Sequence, residues 1–451
     1  MKNKKRRFET LSFYDHTGIE KHLTEMARKG WMIERISNYY WTYRKIEPQE
    51  LHFTVSYYPK ASEFDPIPTQ GQQTFLDFCA QTGWELVCTW FQMQIFYNEG
   101  ENPTPIYTDP ALEVASIHKA CKANYLRSYW ILLVIGTVGG GLFLSSLIAD
   151  TLRFLASPGD LITGLVTLML FVFCAVELFT YYRWHKKAKK AAQQEQFLDT
   201  PSTAKFQKTF VAILLLLVAC WLLHLLFGRS PMLAIISALV FLVFFATAVF
   251  QNVVKRLLKR LRTLAWINRI LTVAAGFVIA YILMGAVITV GLDLTKALPD
   301  AELFPEMETP LHVSDLMETD YHDYLVMGSP EQSLLLTRLK IEQRHGFDDE
   351  ASPNIPEIEY EWIGVKVPWL YDFCKSQMKR LMLLSVSGKG ELEEQDPTVW
   401  KANAVYCLNP EKEQEKTEYL LCFDDVLVRI GFNWDPTPEQ MRIAGERLAL
   451  K

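Results

Sequence analysis

Apolar residues are gathered into five blocks in the middle of the chain, at residues 129–149, 161–182, 209–227, 232–250 and 270–290. Each approaches or exceeds the ~20 residues that carry a helix across ~30 Å of hydrocarbon. Before the first block the pattern changes to short amphipathic periods. Ile19, Leu23, Met26 and Ala27 recur at helical spacing, and Phe75, Leu76, Cys79 and Ala80 do the same. Thr17-Gly-Ile-Glu20 and Thr69-Gln-Gly-Gln72 precede them with the spacing of a capping box. Both helical patterns stop at a glycine followed by tryptophan, Gly30-Trp31 and Gly83-Trp84. Glycine suits the left-handed position that ends a helix.

Strand-like runs follow each tryptophan, at 32–44 and 85–97. Between the two halves Leu51, Phe53, Val55 and Tyr57 alternate with His52, Thr54 and Ser56, as on a half-buried strand. Residues 7–14 supply a first strand. The expected order is βαββαβ, with the second half echoing the first at a spacing of about 53 residues. That is the ferredoxin-like α+β plan, four antiparallel strands backed by two helices.

After the last apolar block, Pro299, Pro305 and Pro310 stand among acidic residues and read as an extended stalk. A second α+β domain is expected beyond it. Residues 358–365 and 426–432 read as strands, 369–384 as an amphipathic helix, and 402–408 with 418–423 as a hairpin. Thr437-Pro-Glu-Gln440 opens a final helix with proline at its first position. Cys407 and Cys422 fall on the two hairpin strands, either as a disulfide or as two free buried thiols. The expected organisation is a cytoplasmic ferredoxin-like domain at 1–124, five transmembrane helices within 125–292, a linker at 293–315 and an extracytoplasmic α+β domain at 316–451.

Charge sets the expected orientation. The net formal charge of -5 is a cancellation: residues 293–451 carry about -15 and everything before them about +10. Arg183, Lys186, Lys187, Lys189, Lys190, Lys205 and Lys208 lie between spans two and three. Lys255, Arg256, Lys259, Arg260, Arg262 and Arg269 lie between spans four and five. The other two loops hold Arg153 and Arg229 alone. Basic loops stay inside, so the N-terminus is expected in the cytoplasm and the C-terminal domain outside. The basic start Met1-Lys-Asn-Lys-Lys-Arg-Arg7 has no apolar stretch after it, unlike a signal peptide.

Candidate chemistry is sparse. The eight cysteines form no C-x-x-C pair and have no histidine at ligand spacing, so no metal site is expected. No G-x-S-x-G, H-E-x-x-H, phosphate-binding loop or dinucleotide fingerprint occurs. No catalytic residue, cofactor or enzymatic activity is therefore expected, and no Asp-x-Asp-x-Asp-Gly loop marks a calcium site. Glu177 in span two and His224 in span three are the notable ionisable groups of the apolar blocks. They either snorkel toward opposite interfaces or belong to a proton relay; a direct ion pair between them is not expected. Gly136-x-x-x-Gly140 and Gly276-x-x-x-Ala280 offer small-residue faces for helix contact. Residues 253–262 alternate apolar and basic pairs, as in a helix lying at the headgroups. Tyr39, Tyr40, Trp41, Tyr43, Trp90 and Phe91 read as core and sheet packing. No glycine–aromatic RNA-binding motif accompanies them, so no direct nucleic-acid partner is expected.

Glu25-Met-Ala-Arg-Lys-Gly-Trp31, Tyr39-Tyr-Trp-Thr-Tyr43 and Cys79-Ala-Gln-Thr-Gly-Trp-Glu-Leu86 resemble a domain of unknown function catalogued as family 2812, over roughly residues 8–110. The resemblance implies a multi-pass membrane protein of low-GC Gram-positive bacteria. It implies a regulatory setting too, because many members are encoded beside PadR-type repressors, and a cytoplasmic partner of that kind. It supplies no catalytic residues. The expected function is sensory or regulatory, an outer domain coupled through the cell membrane to an inner partner-binding domain. The alternative is a structural or accessory subunit of an envelope or transport complex.

Overall fold

A computed structural model describes residues 3–37, 40–227, 231–297, 309–318, 324–345, 355–385, 391–409 and 417–449. Its contacts divide the chain into two compact units: one of residues 1–139 and 166–297, the other of residues 140–165 and 298–451.

The first unit begins with two copies of one β-α-β-β motif. β1 (Lys4–Arg7), α1 (His16–Arg28), β2 (Trp31–Ile36) and β3 (Trp41–Lys45) form the first; β4 (His52–Tyr57), α2 (Gln70–Gln81), β5 (Glu85–Trp90) and β6 (Met93–Asn98) form the second. Each copy makes its own antiparallel three-stranded sheet, in the orders β1-β3-β2 and β4-β6-β5. The α+β character is as expected, whereas the single four-stranded ferredoxin-like sheet gives way to two sheets of identical topology. The two long runs are each a hairpin rather than one strand. Trp90 pairs with Met93 across a two-residue turn, where Phe91 takes a φ of +53°. Propensity assigns that conformation to glycine or asparagine, so the turn has no signature in sequence. The first strand is β1, and residues 8–14 instead carry Ser12, Phe13 and Tyr14 into the core.

Both helices end as expected, on Gly30 at φ +79° and Gly83 at φ +84°. Thr69 caps α2 through the Gln72 amide at 3.3 Å. The cap of α1 is Asp15, which accepts from the Gly18 amide at 3.0 Å, and not Thr17. The Thr17 hydroxyl is drawn to Thr200, 2.7 Å away.

α3 (Pro110–Ala123) leads to the long helices α4 (Tyr125–Ala149), α6 (Pro158–Ala192), α7 (Ala204–Phe227), α8 (Pro231–Arg260) and α9 (Ala265–Ala297). All five are long and apolar enough to cross a membrane. Residues 253–260 continue α8 without a break rather than forming a separate surface helix. Gly276 on α9 faces the Gln251 side chain of α8, which accounts for that small-residue position by packing within the first unit.

The second unit contains α5 (Thr151–Ala156), α10 (Val313–Leu316), β7 (Leu325–Gln332), β8 (Leu336–Arg344), β9 (Ile358–Val365), α11 (Tyr371–Ser385), β10 (Glu391–Gln395), β11 (Ala404–Asn409), β12 (Thr417–Cys422), β13 (Val426–Phe432) and α12 (Pro438–Leu448). Seven antiparallel strands run in the order β10-β11-β12-β13-β9-β8-β7. One sheet face holds Ile341, Tyr360, Val428 and Ile430 with α10 and α12. The other holds Leu336, Ile363, Leu420 and Leu427 with α11 and, from α5, Leu152 and Ala156. The expected linker is partly domain: Leu311 and Val313 are buried, and the Leu311 carbonyl accepts from Gln343 at 2.7 Å.

Cys407 and Cys422 are free and buried. Cys422 lies opposite Ala404, and Cys407 lies opposite Tyr419. Ala404 and Cys407 are an odd number of residues apart, so the two thiols point to opposite faces of the sheet. The register excludes the disulfide.

Candidate functional site at the Glu177 junction

Glu177 does not snorkel to water. Its side chain, on α6, is fully buried and is gripped from three directions. Ser12 Oγ donates to Oε2 at 2.9 Å, Tyr125 Oη of α4 donates to the same oxygen at 2.7 Å, and Gln207 Nε2 of α7 donates to Oε1 at 3.0 Å. Ser12 Oγ also lies 2.7 Å from Thr203 Oγ1. Buried carboxylates are costly unless several donors meet them, and here three elements supply one donor each. The side chain of His224 lies outside the described residues, so the second of the sequence's two intramembrane candidates is not placed.

The residues after Ser12 extend the junction. Phe13 and Tyr14 pack with Tyr125, Tyr181 and Trp184, so the core of the N-terminal domain is continuous with α6 as far as Ala188. Asp15 Oδ1, already capping α1, accepts from Thr200 Oγ1 at 2.6 Å. Lys21 pairs with Asp199 at 2.7 Å. A second contact is made by the loop after β4. Glu63 pairs with Lys255 of α8 at 2.7 Å, and the Phe64 carbonyl accepts from Asn268 of α9 at 3.2 Å. The Phe64 ring lies beneath the Lys255 and Arg269 cations. The N-terminal domain thus touches each of the five long helices, and always at the end that borders the basic loops or the domain itself.

Ionisable groups cluster beside the junction. His16 Nε2 lies 3.7 Å from Glu113, and Glu20 accepts from the Val55 amide at 2.8 Å. Burial pushes Glu20 and Glu113 up to about 7 and His16 down to about 4. A raised carboxyl contributes stability that is complete below its ordinary 4.5 and is lost as pH rises through about 7. The lowered histidine works in the opposite sense, contributing above its ordinary 6.5 and losing that contribution as pH falls through about 4. Relative to the double variant Glu20→Gln/Glu113→Gln, the wild-type protein is expected to lose thermal stability steadily as pH rises across this window. Melting curves of both proteins in the same membrane mimic check it. Parallel pH profiles would refute the assignment.

A groove of about 790 Å³ opens elsewhere on the N-terminal domain, lined by Lys4, Lys5, Arg6, Trp31, Glu34, Arg35, Tyr40 and Thr42. Lys5 lies over Trp31 and Arg6 over Tyr40, while Glu34 neutralises Lys4. The aromatic residues noted in the sequence do not share this surface. Trp41 and Tyr43 are buried, Trp90 and Phe91 pack on the core, and Tyr39 lies outside the described residues. Of the five that are described, Tyr40 lines the groove. Sequence reasoning missed Ser12, Tyr125, Thr203 and Gln207, which are ordinary polar residues without a motif. Among the described residues no group of three or more His, Cys, Asp or Glu is placed to hold a metal ion.

No curated protein and no solved structure matches the chain. Residues 15–134, which take in the repeated β-α-β-β motifs from Asp15 onward, α3 and the first part of α4, match the model of the family described as protein of unknown function (DUF2812).

Proposed function

We propose that this multi-pass membrane protein is sensory or regulatory and not catalytic, with its C-terminal domain outside the cell and its N-terminal domain in the cytoplasm. The observation that carries the reading is the Glu177 junction. A buried carboxylate ties a loop of the soluble domain to three membrane helices at once, so a shift of α6 against α4 or α7 must break hydrogen bonds at Glu177, the group that also holds Ser12. Such an element can report the state of the bundle to the domain, provided a ligand favours one arrangement over the other. The basic loops between α6 and α7 and between α8 and α9 support the orientation. The groove beside Lys4, Arg6 and Arg35 offers a face for a cytoplasmic regulatory protein with acidic character.

In-cell crosslinking of full-length protein tagged at its N-terminus, with and without residues 309–451, tests the reading. Capture of a cytoplasmic regulator that changes when the outer domain is removed is the expected result. An unchanged set of partners sinks the sensory reading, and stable capture of transporter or envelope-synthesis subunits favours the accessory-subunit alternative.

A further inference from the structure

Among the described residues, the four most exposed large apolar side chains are Leu334 at 91 %, Tyr281 at 83 %, Trp369 at 76 % and Phe277 at 74 %. Phe277 and Tyr281 belong to α9, within a membrane-competent span, where lipid contact explains their exposure. Leu334 and Trp369 belong to the folded C-terminal domain, where water offers no such reason.

Their place in the second unit is specific. α5 is the short connection between the end of α4 at Ala149 and the start of α6 at Pro158, two helices long and apolar enough to cross a membrane. Ser333 Oγ donates to the Leu155 carbonyl of α5 at 2.6 Å, which fixes the turn carrying Leu334 against that connection. The same Ser333 accepts from the amides of Leu335 and Leu336, and its carbonyl accepts from Lys366 Nζ at 2.7 Å. Lys366 in turn leads into the helical turn Pro368–Leu370. Leu370 is buried in one cluster with Leu152 and Ala156, yet its neighbour Trp369 projects outward. Both apolar side chains therefore project from a hydrogen-bonded frame that is joined to the connection between α4 and α6. Tryptophan is enriched where apolar and wet surroundings meet, and Arg153 on α5, although paired with Glu331 at 3.5 Å, keeps most of its side chain exposed.

We propose that Leu334 and Trp369 form a membrane-interface anchor: the two side chains enter the headgroup–acyl boundary of the leaflet on the side of the C-terminal domain and hold that domain against the bilayer. The occupant of this surface is lipid, not a second protein.

The test uses full-length protein in phosphatidylcholine–phosphatidylglycerol vesicles, with Cys220→Ser removing the exposed native thiol. An environment-sensitive fluorophore is attached through Leu334→Cys, Trp369→Cys or, as a control in an exposed turn, Asp396→Cys. Lipids spin-labelled at the headgroup, at carbon 5 or at carbon 12 serve as quenchers. Loss of emission at the first two positions, strongest with headgroup or carbon-5 labels and absent at the control, is the expected result. Emission at 334 and 369 no more quenched than at 396 overturns the anchor. A blue-shifted but unquenched signal overturns it as well, by showing that protein covers the patch.

Discussion

Glu177→Ala is expected to destabilise the first unit by about 3 kcal/mol, the upper end of the cost of leaving buried hydrogen-bonding groups unpaired. The loss is large because three donors remain behind. Ser12, Tyr125 and Gln207 all point at the vacated position, and no water reaches a side chain with no exposure. Glu177→Gln separates this effect from a need for charge. Its carbonyl oxygen still accepts from Gln207, and its amide can donate to the hydroxyls of Ser12 and Tyr125, which are able to accept. The glutamine variant should therefore keep most of the stability. The measurement is thermal unfolding of purified protein in nanodiscs, with limited proteolysis reporting the N-terminal domain separately. If alanine and glutamine behave alike, the hydrogen-bonded junction is not what holds the domain to α6. The pair also informs the proposed function, since a coupling element must weaken communication when it is loosened even where the fold survives.

The second large effect belongs to Arg338 in the C-terminal unit. Its guanidinium is almost fully enclosed and meets Glu361 at 2.6 Å, Glu331 at 3.2 Å and Asp150 at 3.3 Å. Glu361 is itself buried. Arg338→Met is expected to cost about 3–5 kcal/mol, because the carboxylates would face one another with no cation between them. Asp150 is the residue that caps α5, accepting from the Arg153 amide at 3.0 Å. Losing Arg338 should therefore loosen the connection between α4 and α6 from the sheet, and protease cleavage near residues 150–157 should rise. A companion change tests the cause: Arg338→Met combined with Glu361→Leu should recover part of the loss, since replacing both members of a buried pair by apolar groups costs less than orphaning one. No recovery would mean that shape, and not charge balance, sets the requirement for arginine.

Much of the architecture is readable from spacing alone. The five apolar blocks appear as helices within a few residues of their expected positions, and each extends beyond the block because polar residues continue the helix outside lipid. Gly30-Trp31 and Gly83-Trp84 mark two helix ends that the backbone confirms by positive φ. The Thr437 capping box closes as its residues imply, with Gln440 accepting from the Thr437 amide at 2.8 Å. Strands β9, β12 and β13 were legible from dense apolar runs. β7 and β8 were not: Arg338 is a charged residue at a buried position, and it breaks the alternation that identifies a strand.

Local signals determined the elements of this protein: where helices start and stop, which stretches can enter a membrane, and that the N-terminal domain is built twice from one pattern. These features depend on residues within a few positions of one another. Tertiary structure alone decided the partners. Ser12 and Glu177 are 165 residues apart, Asp150 and Arg338 are 188 apart, and no period in a sequence encodes such pairs. It also decided that six strands form two sheets, because the outer pairings, β1 with β3 and β4 with β6, join segments about 40 residues apart that no local turn brings together. The chemistry at Glu177 lies wholly in this second category. A glutamate in an apolar helix announces a cost, and only packing shows which three donors offset it.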